Sequence, residues 1–281
     1  MSQQAVMKAS GLVALLALAP AVWGPGDVGM GPELSNHAQG TAGIVAHRAP
    51  APGDTLGSDA PLKLPHGERL HYSGRFGVFG DVGEGTMTVE NGHTVRDRDV
   101  VRLDFDFEGR AMLRTIADRT TSWVDPGKGR ALRYHKDEKH PLGSRQEEVE
   151  IFVDEGRWED RTGAAGELPT SRPLDELSFI YLVRGLRLEE GEVVEVERHF
   201  DRDRNPVEVE GRGTDTIEVP AGEFPVDILE MRVRDEERFN GGGRIVLYLA
   251  HDEARTPVRI ESKQSRLGTL VLRLEERSPA P

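Results

Sequence analysis

Four side chains able to do chemistry recur three residues apart in PLDELSFIYLVRGL, Pro173 to Leu186: Asp175, Ser178, Tyr181 and Arg184. On a helix this spacing drifts slowly around one side, so a polar strip runs beside an apolar body that includes Leu177 and Leu182. One reading makes these six residues the lining and rim of a pocket, the polar strip orienting a headgroup above an apolar cavity. The plainer reading is architectural, with Asp175 favouring the helix dipole, Arg184 holding C-terminal carbonyls or a strand carboxylate, and Tyr181 hydrogen-bonded while buried. Ser178 lies inside an apolar segment, and no G-x-S-x-G occurs, so it has no serine-hydrolase context.

Other reactive types are scattered. Glu147, Glu148 and Glu150, and Glu195 with Glu197, supply paired carboxylates. A glycosidase needs two such groups across a cleft at a controlled separation, whereas alternating acids are ordinarily the wet face of a strand. His135 and His140 flank Asp137 and Glu138, but no H-E-x-x-H appears, and ligand spacing this loose leaves solvated histidines as the reading. The glycines of GVFGDVGEG, Gly77 to Gly85, lie between two strand patterns with no helix to follow. They fit a sharp turn or bulge, not a phosphate loop. No metal or cofactor is expected.

The elements that position these residues follow from periodicity. VRLDFDFE sets Val101, Leu103, Phe105 and Phe107 on one face and Arg102, Asp104, Asp106 and Glu108 on the other. The same alternation recurs around Ile151, Val194 and Val196, and Leu270, Leu272 and Leu274. One solvated face favours an antiparallel sheet. Asn91-Gly92 is a strong tight-turn signal, and Glu155-Gly156 and Leu267-Gly268 punctuate later strands. The fold class expected is mainly β: one strongly curved antiparallel sheet of ten to twelve strands, half-barrel or closed barrel, wrapped on one main helix. That helix spans Pro173–Gly185, with Ser171 as N-cap and Gly185 as its end.

Composition narrows the setting. The chain has 281 residues, a net charge of −13 and no cysteine. The acidic balance speaks against nucleic acid, and the missing cysteine removes disulfides, thiolate chemistry and a lipoprotein anchor. Lys8, the apolar GLVALLALA of Gly11–Ala19 and the small residues after it make residues 1–24 a signal peptide too short to span a bilayer. Residues 25–62, rich in Gly and Pro, are expected to be a flexible linker. Residues 63–277 form the β domain and 278–281 a disordered tail. The product is thus expected to be exported to the periplasm or extracellular space, and not integral to the membrane once the signal is cleaved.

Three segments carry a resemblance: the D-x-L-S-x-x-Y-x-x-R helix at Asp175–Arg184, the V-P-A-G-x-F turn at Val219–Phe224, and D-E-A-R-T-P-V-R-I-E-S at Asp252–Ser262. Over Lys63 to Arg277 the chain resembles domain of unknown function 3108, a group of exported bacterial envelope proteins. The resemblance implies a curved antiparallel sheet, similar to the half-barrels of periplasmic lipoprotein carriers. It implies no catalytic residues. The leading expectation is a non-enzymatic envelope protein holding a lipid or other amphipathic ligand in the sheet's concavity. The alternatives are an envelope structural or interaction protein with a filled core and an envelope protein partner, or a carbohydrate-active hydrolase using paired carboxylates.

Overall fold

In a computed structural model, residues 62–111, 114–140, 143–233, 243–264 and 268–278 are described. The expected signal peptide, nearly all of the linker and the last three residues of the tail lie outside them. The first half of the domain is an antiparallel meander. It comprises β1 (Arg69–Phe76), β2 (Gly80–Val95), β3 (Arg98–Ala111), β4 (Arg114–Asp125), β5 (Arg130–His140), β6 (Gly143–Phe152), β7 (Arg157–Asp160) and β8 (Ala165–Glu167). The chain then forms α1 (Glu176–Val183) and returns as β9 (Val193–Val196), β10 (Val207–Val219), β11 (Gly222–Val233), β12 (Gly243–Ala250), β13 (Pro257–Gln264) and β14 (Gly268–Ser278). Because β14 pairs with β1, the two runs fuse into one sheet with β8 and β9 at its edges.

Among the described residues there are therefore fourteen strands, not ten to twelve, and the sheet they form is open, not closed. The short strands β7 and β8, four and three residues long, show too little alternation to be seen in sequence. The chain crosses from one edge to the other through α1, and nothing among the described residues pairs β8 with β9.

Alternation builds the core as expected. Val101, Leu103, Phe105 and Phe107 of β3 are buried, as are Leu270, Leu272 and Leu274 of β14. They join one cluster with all the apolar residues of α1. The glycines near β1 and β2 make close approach possible. A Cβ on Gly74 would lie 2.6 Å from the Phe107 ring, and one on Gly83 would lie 2.3 Å from the Glu108 carbonyl. A bulge between Gly74 and Arg75 accompanies them.

Asn91-Gly92 does not make the hairpin. Strand β2 bulges there and runs on to Val95, and the turn falls at Arg96-Asp97, both in the left-handed region at φ 49° and 59°. Tertiary contacts compensate the strain. Arg96 donates to the Leu132 and Ile151 carbonyls at 2.8 Å each, pairs with Glu150 and lies over the Phe152 ring.

The helix is shorter than expected and starts later. Asp175, not Ser171, is its N-cap: the Asp175 carboxylate accepts from the amides of Leu177 and Ser178, and the Ser178 hydroxyl accepts from the Asp175 amide. This reciprocal box satisfies helix donors that would otherwise be buried without partners. Pro173 and Leu174 lie outside the helix, and Leu174 forms an isolated bridge with His199. Leu174 exchanges backbone bonds with Arg198 and Phe200, and the Pro173 carbonyl accepts from the Ala131 amide.

Candidate functional site

The six residues of the expected pocket are all buried to 0% exposure. Leu177 and Leu182 belong to the continuous core. Asp175 and Ser178 are occupied by the cap, and Asp175 also accepts from the Ser122 hydroxyl of β4 at 2.5 Å. Arg184 makes a two-pronged bond to Glu68, 2.8 Å on each prong, and donates to the carbonyls of Ala254 and Arg255. Its guanidinium also covers the Tyr181 ring, 5.1 Å from the centroid. The Tyr181 hydroxyl, expected to be bonded, finds no partner.

Arg184 also links two of the signature segments. Arg255 donates its Nε to the Arg184 carbonyl at 2.8 Å while Arg184 donates its Nε to the Arg255 carbonyl at 3.2 Å. Arg255 reaches the Leu186 carbonyl as well and pairs with Asp227, which itself contacts His251 at 2.8 Å. The D-E-A-R turn is thus the clamp on the end of α1.

The group of chemistry-bearing residues that sequence reasoning missed is elsewhere on the inner face. Register aligns three rows across β4, β5 and β6: Ser122, Tyr134 and Val149; Thr120, Lys136 and Glu147; Asp118, Glu138 and Arg145. Glu147 was expected on a wet face, yet only 11% of its side chain is exposed, and Lys136 and Glu138 are buried. The N-terminus of α1 and the segment after β9 close over this block with Glu176, His199 and Arg204, all buried.

Ion pairs join part of it. Lys136 contacts Asp118 at 3.0 Å, and Arg145 contacts Glu147 at 2.6 Å. Glu176 is looser, 3.5 Å from Arg204 and 3.8 Å from His199. Both Glu176 oxygens, His199 Nε2, Arg204 Nη1 and Nη2, and the Tyr134 hydroxyl lack a hydrogen-bond partner. Buried polar atoms rarely stay so, and bridging water or a solute fits such gaps. The His199 tautomer follows from its surroundings: Nδ1 accepts from the Asp201 amide at 3.0 Å, which puts the proton of the neutral ring on Nε2, facing Glu176.

The carboxyls here divide. Burial pushes Asp175 up to about 7 despite the hydroxyls of Ser122 and Ser178. Burial and the nearby Glu176 raise Glu147 to about 7 against Arg145. Asp118 rises through burial, opposed by Lys136. Glu176 goes the other way, to about 2, because His199 and Arg204 outweigh its burial.

His135 faces away from this block, edge-on to Trp123, and burial lowers its pKa. Among the described residues no group of three or more acids or histidines is placed to hold a metal. The two cavities described lie at turns, away from the body of α1. One is a cleft of about 570 Å³ lined by Leu62, the 126–130 turn, Ser171 and Arg172. The other, about 210 Å³, lies at Arg96, Arg98 and residues 152–155.

The fold has a counterpart among solved structures. The chain superposes on a beta-barrel-like protein of domain of unknown function DUF1849 from Brucella abortus with a TM-score of 0.51 and 10% identity, covering 75% of this chain and 96% of that one. Weaker matches are a candidate exported protein with a YmcC-like fold from Bacteroides fragilis and a candidate lipoprotein from Parabacteroides distasonis. The first has a TM-score of 0.35 and 12% identity, covering 78% of this chain and 99% of that one. The second has a TM-score of 0.34 and 12% identity, covering 79% and 100%. No curated protein matches. Residues 69–275 match the family described as protein of unknown function (DUF3108), and the chain belongs to that family.

Proposed function

We propose that the protein acts after export, in the cell envelope, as a non-enzymatic scaffold with a filled interior that meets its partners on the outside. The observation that carries this reading is α1: every residue from Glu176 to Val183 is buried, and Asp175, Ser178 and Arg184 of the expected rim are bound to the fold. A helix packed around its whole circumference leaves no apolar space beside it for an acyl chain. The leader-like residues 1–24 support export. The test is titration of the gently purified protein with a fluorescent fatty acid, alongside crosslinking in the native envelope. No saturable fatty-acid binding and a defined crosslinked partner are expected; saturable binding with no partner would refute the scaffold reading.

A second reading has one observation in its favour. The unpartnered atoms of Glu176, His199, Arg204 and Tyr134 would suit a small polar guest in the β4–β6 block. Native mass spectrometry of the same preparation decides it: a stoichiometric added mass supports a guest, and the bare chain mass leaves water as the partner.

A further inference from the structure

We infer that the cleft between the β4–β5 turn and the segment preceding α1 is a binding site for a phosphate ester. The cleft of about 570 Å³ is lined by Leu62, Pro126, Lys128, Arg130 and Arg172, among others, so cations reach it from both walls in a chain whose net charge is −13. Lys128 is exposed at the turn and has no ion pair among the described residues. Arg130 is held by Asp125, at 3.2 Å, and lies 4.0 Å from Asp154.

The walls are built into the fold. Arg198, 1% exposed, ties them together from below, donating Nε to the Arg172 carbonyl at 2.9 Å and Nη2 to the Gly129 carbonyl. Arg172 in turn donates Nε to the Lys128 carbonyl at 3.2 Å. Gly129 keeps the floor low. Its φ is +59°, and an added Cβ would sit 3.4 Å from the Arg172 guanidinium and 3.7 Å from Leu62.

The chemistry of these groups selects the ligand. One guanidinium fork satisfies a planar carboxylate, whereas several cations converging from two walls match a tetrahedral, doubly charged phosphate. The volume exceeds that of bare phosphate, and Leu62 and Pro126 give the esterified carbon skeleton an apolar edge. A lipid headgroup and a soluble phosphate ester share this chemistry. The inference stands whether or not the interior is filled, since no lining residue belongs to α1 or to the inward-facing rows of β4, β5 and β6.

Glycerol 3-phosphate is titrated into the full chain by calorimetry, and vesicles of phosphatidylcholine with or without phosphatidic acid are tested by flotation. Saturable binding of glycerol 3-phosphate is expected. Lys128→Glu should weaken it roughly tenfold or more, since a charge-assisted bond is lost and a like charge gained. The Lys128 side chain makes no contact the fold uses, so the variant should melt where the parent does; Lys128→Ala repeats the comparison without the added charge. Flotation only with phosphatidic acid, competed by glycerol 3-phosphate, assigns the site to a lipid headgroup; calorimetric binding without flotation assigns it to a soluble ester. Binding of neither probe, or binding unchanged in both variants, overturns the inference.

Discussion

The inner face has two unlike halves. Over β1–β3 and β10–β14 it is apolar, with Tyr72, Phe105, Leu247, Leu272 and their neighbours packed on α1. Over β4–β6 it is polar, with Asp118, Lys136, Glu138 and Glu147 turned inward. The apolar half holds the buried Glu68–Arg184 pair in fixed two-pronged geometry. The polar half spreads its charge over several groups, three of them carboxyls whose pKa values are raised. A buried charge in an apolar setting must have one good partner, whereas a cluster of buried carboxyls can answer a lost partner by keeping a proton.

The largest effect should therefore come from the single pair. Arg184→Met strands Glu68 among apolar side chains and unclamps the 254–255 turn, and is expected to cost about 3–5 kcal/mol in denaturant unfolding. Adding Glu68→Gln should restore part of it; a double variant no better than the single would show that the turn contacts, not the charge, dominate.

Lys136→Met removes the partner of Asp118, which is also buried. Because burial already raises the Asp118 pKa, taking up a proton can offset the lost partner, so the loss should be smaller, about 1–3 kcal/mol, and should shrink on acidification. A loss as large as that of Arg184→Met, independent of pH, would erase the distinction between the halves.

Acid titration tests the polar half as a whole. In the folded state Asp175 and Glu147 keep their protons up to about 7, whereas in the unfolded chain carboxyls release them near 4. Between those values the folded state binds more protons, so these two groups lower stability as pH rises from about 4 to about 7. Glu176, held at about 2, has the opposite sign: its contribution is complete above its unfolded value and is lost as pH falls toward 2. Stability in urea should thus peak at mildly acidic pH. Asp175→Asn keeps a capping side chain and removes one titrating group, so its profile should fall less between pH 4 and 7. A profile as steep as the parent's would show that Asp175 is not titrating there.

Tyr134→Phe should do least. The hydroxyl is buried without a partner, so removing it is expected to change stability by less than about 1 kcal/mol, or to raise it. A loss beyond about 2 kcal/mol in thermal melts would reveal a bound water or guest on that oxygen.

The apolar half was legible because period-two alternation in strands such as VRLDFDFE separates wet from buried positions without further information. The polar half was not. TTSWVD, RYHKDEKH and SRQEEVEIF carry polar groups on both faces, and inward Lys136 or Glu147 resembles any solvated strand residue until its cross-strand neighbours are known. The cap was misplaced for a related reason. Ser171 and Asp175 are both good caps, and the backbone bonds of Pro173 to β5 and of Leu174 to the segment after β9 decide between them. Arg96-Asp97 took the turn from Asn91-Gly92 through contacts 36 and 55 residues away. The mating of Arg184 with Arg255 joins two signature segments, a reason for their presence that neither segment shows alone.

Amide hydrogen exchange of Leu177–Val183, with and without oleate, addresses the filled interior most directly. The expected result is protection at the level of global unfolding, unchanged by oleate. Exchange through a smaller opening, or protection that rises as oleate saturates, would contradict it and return the guest to the side of the helix.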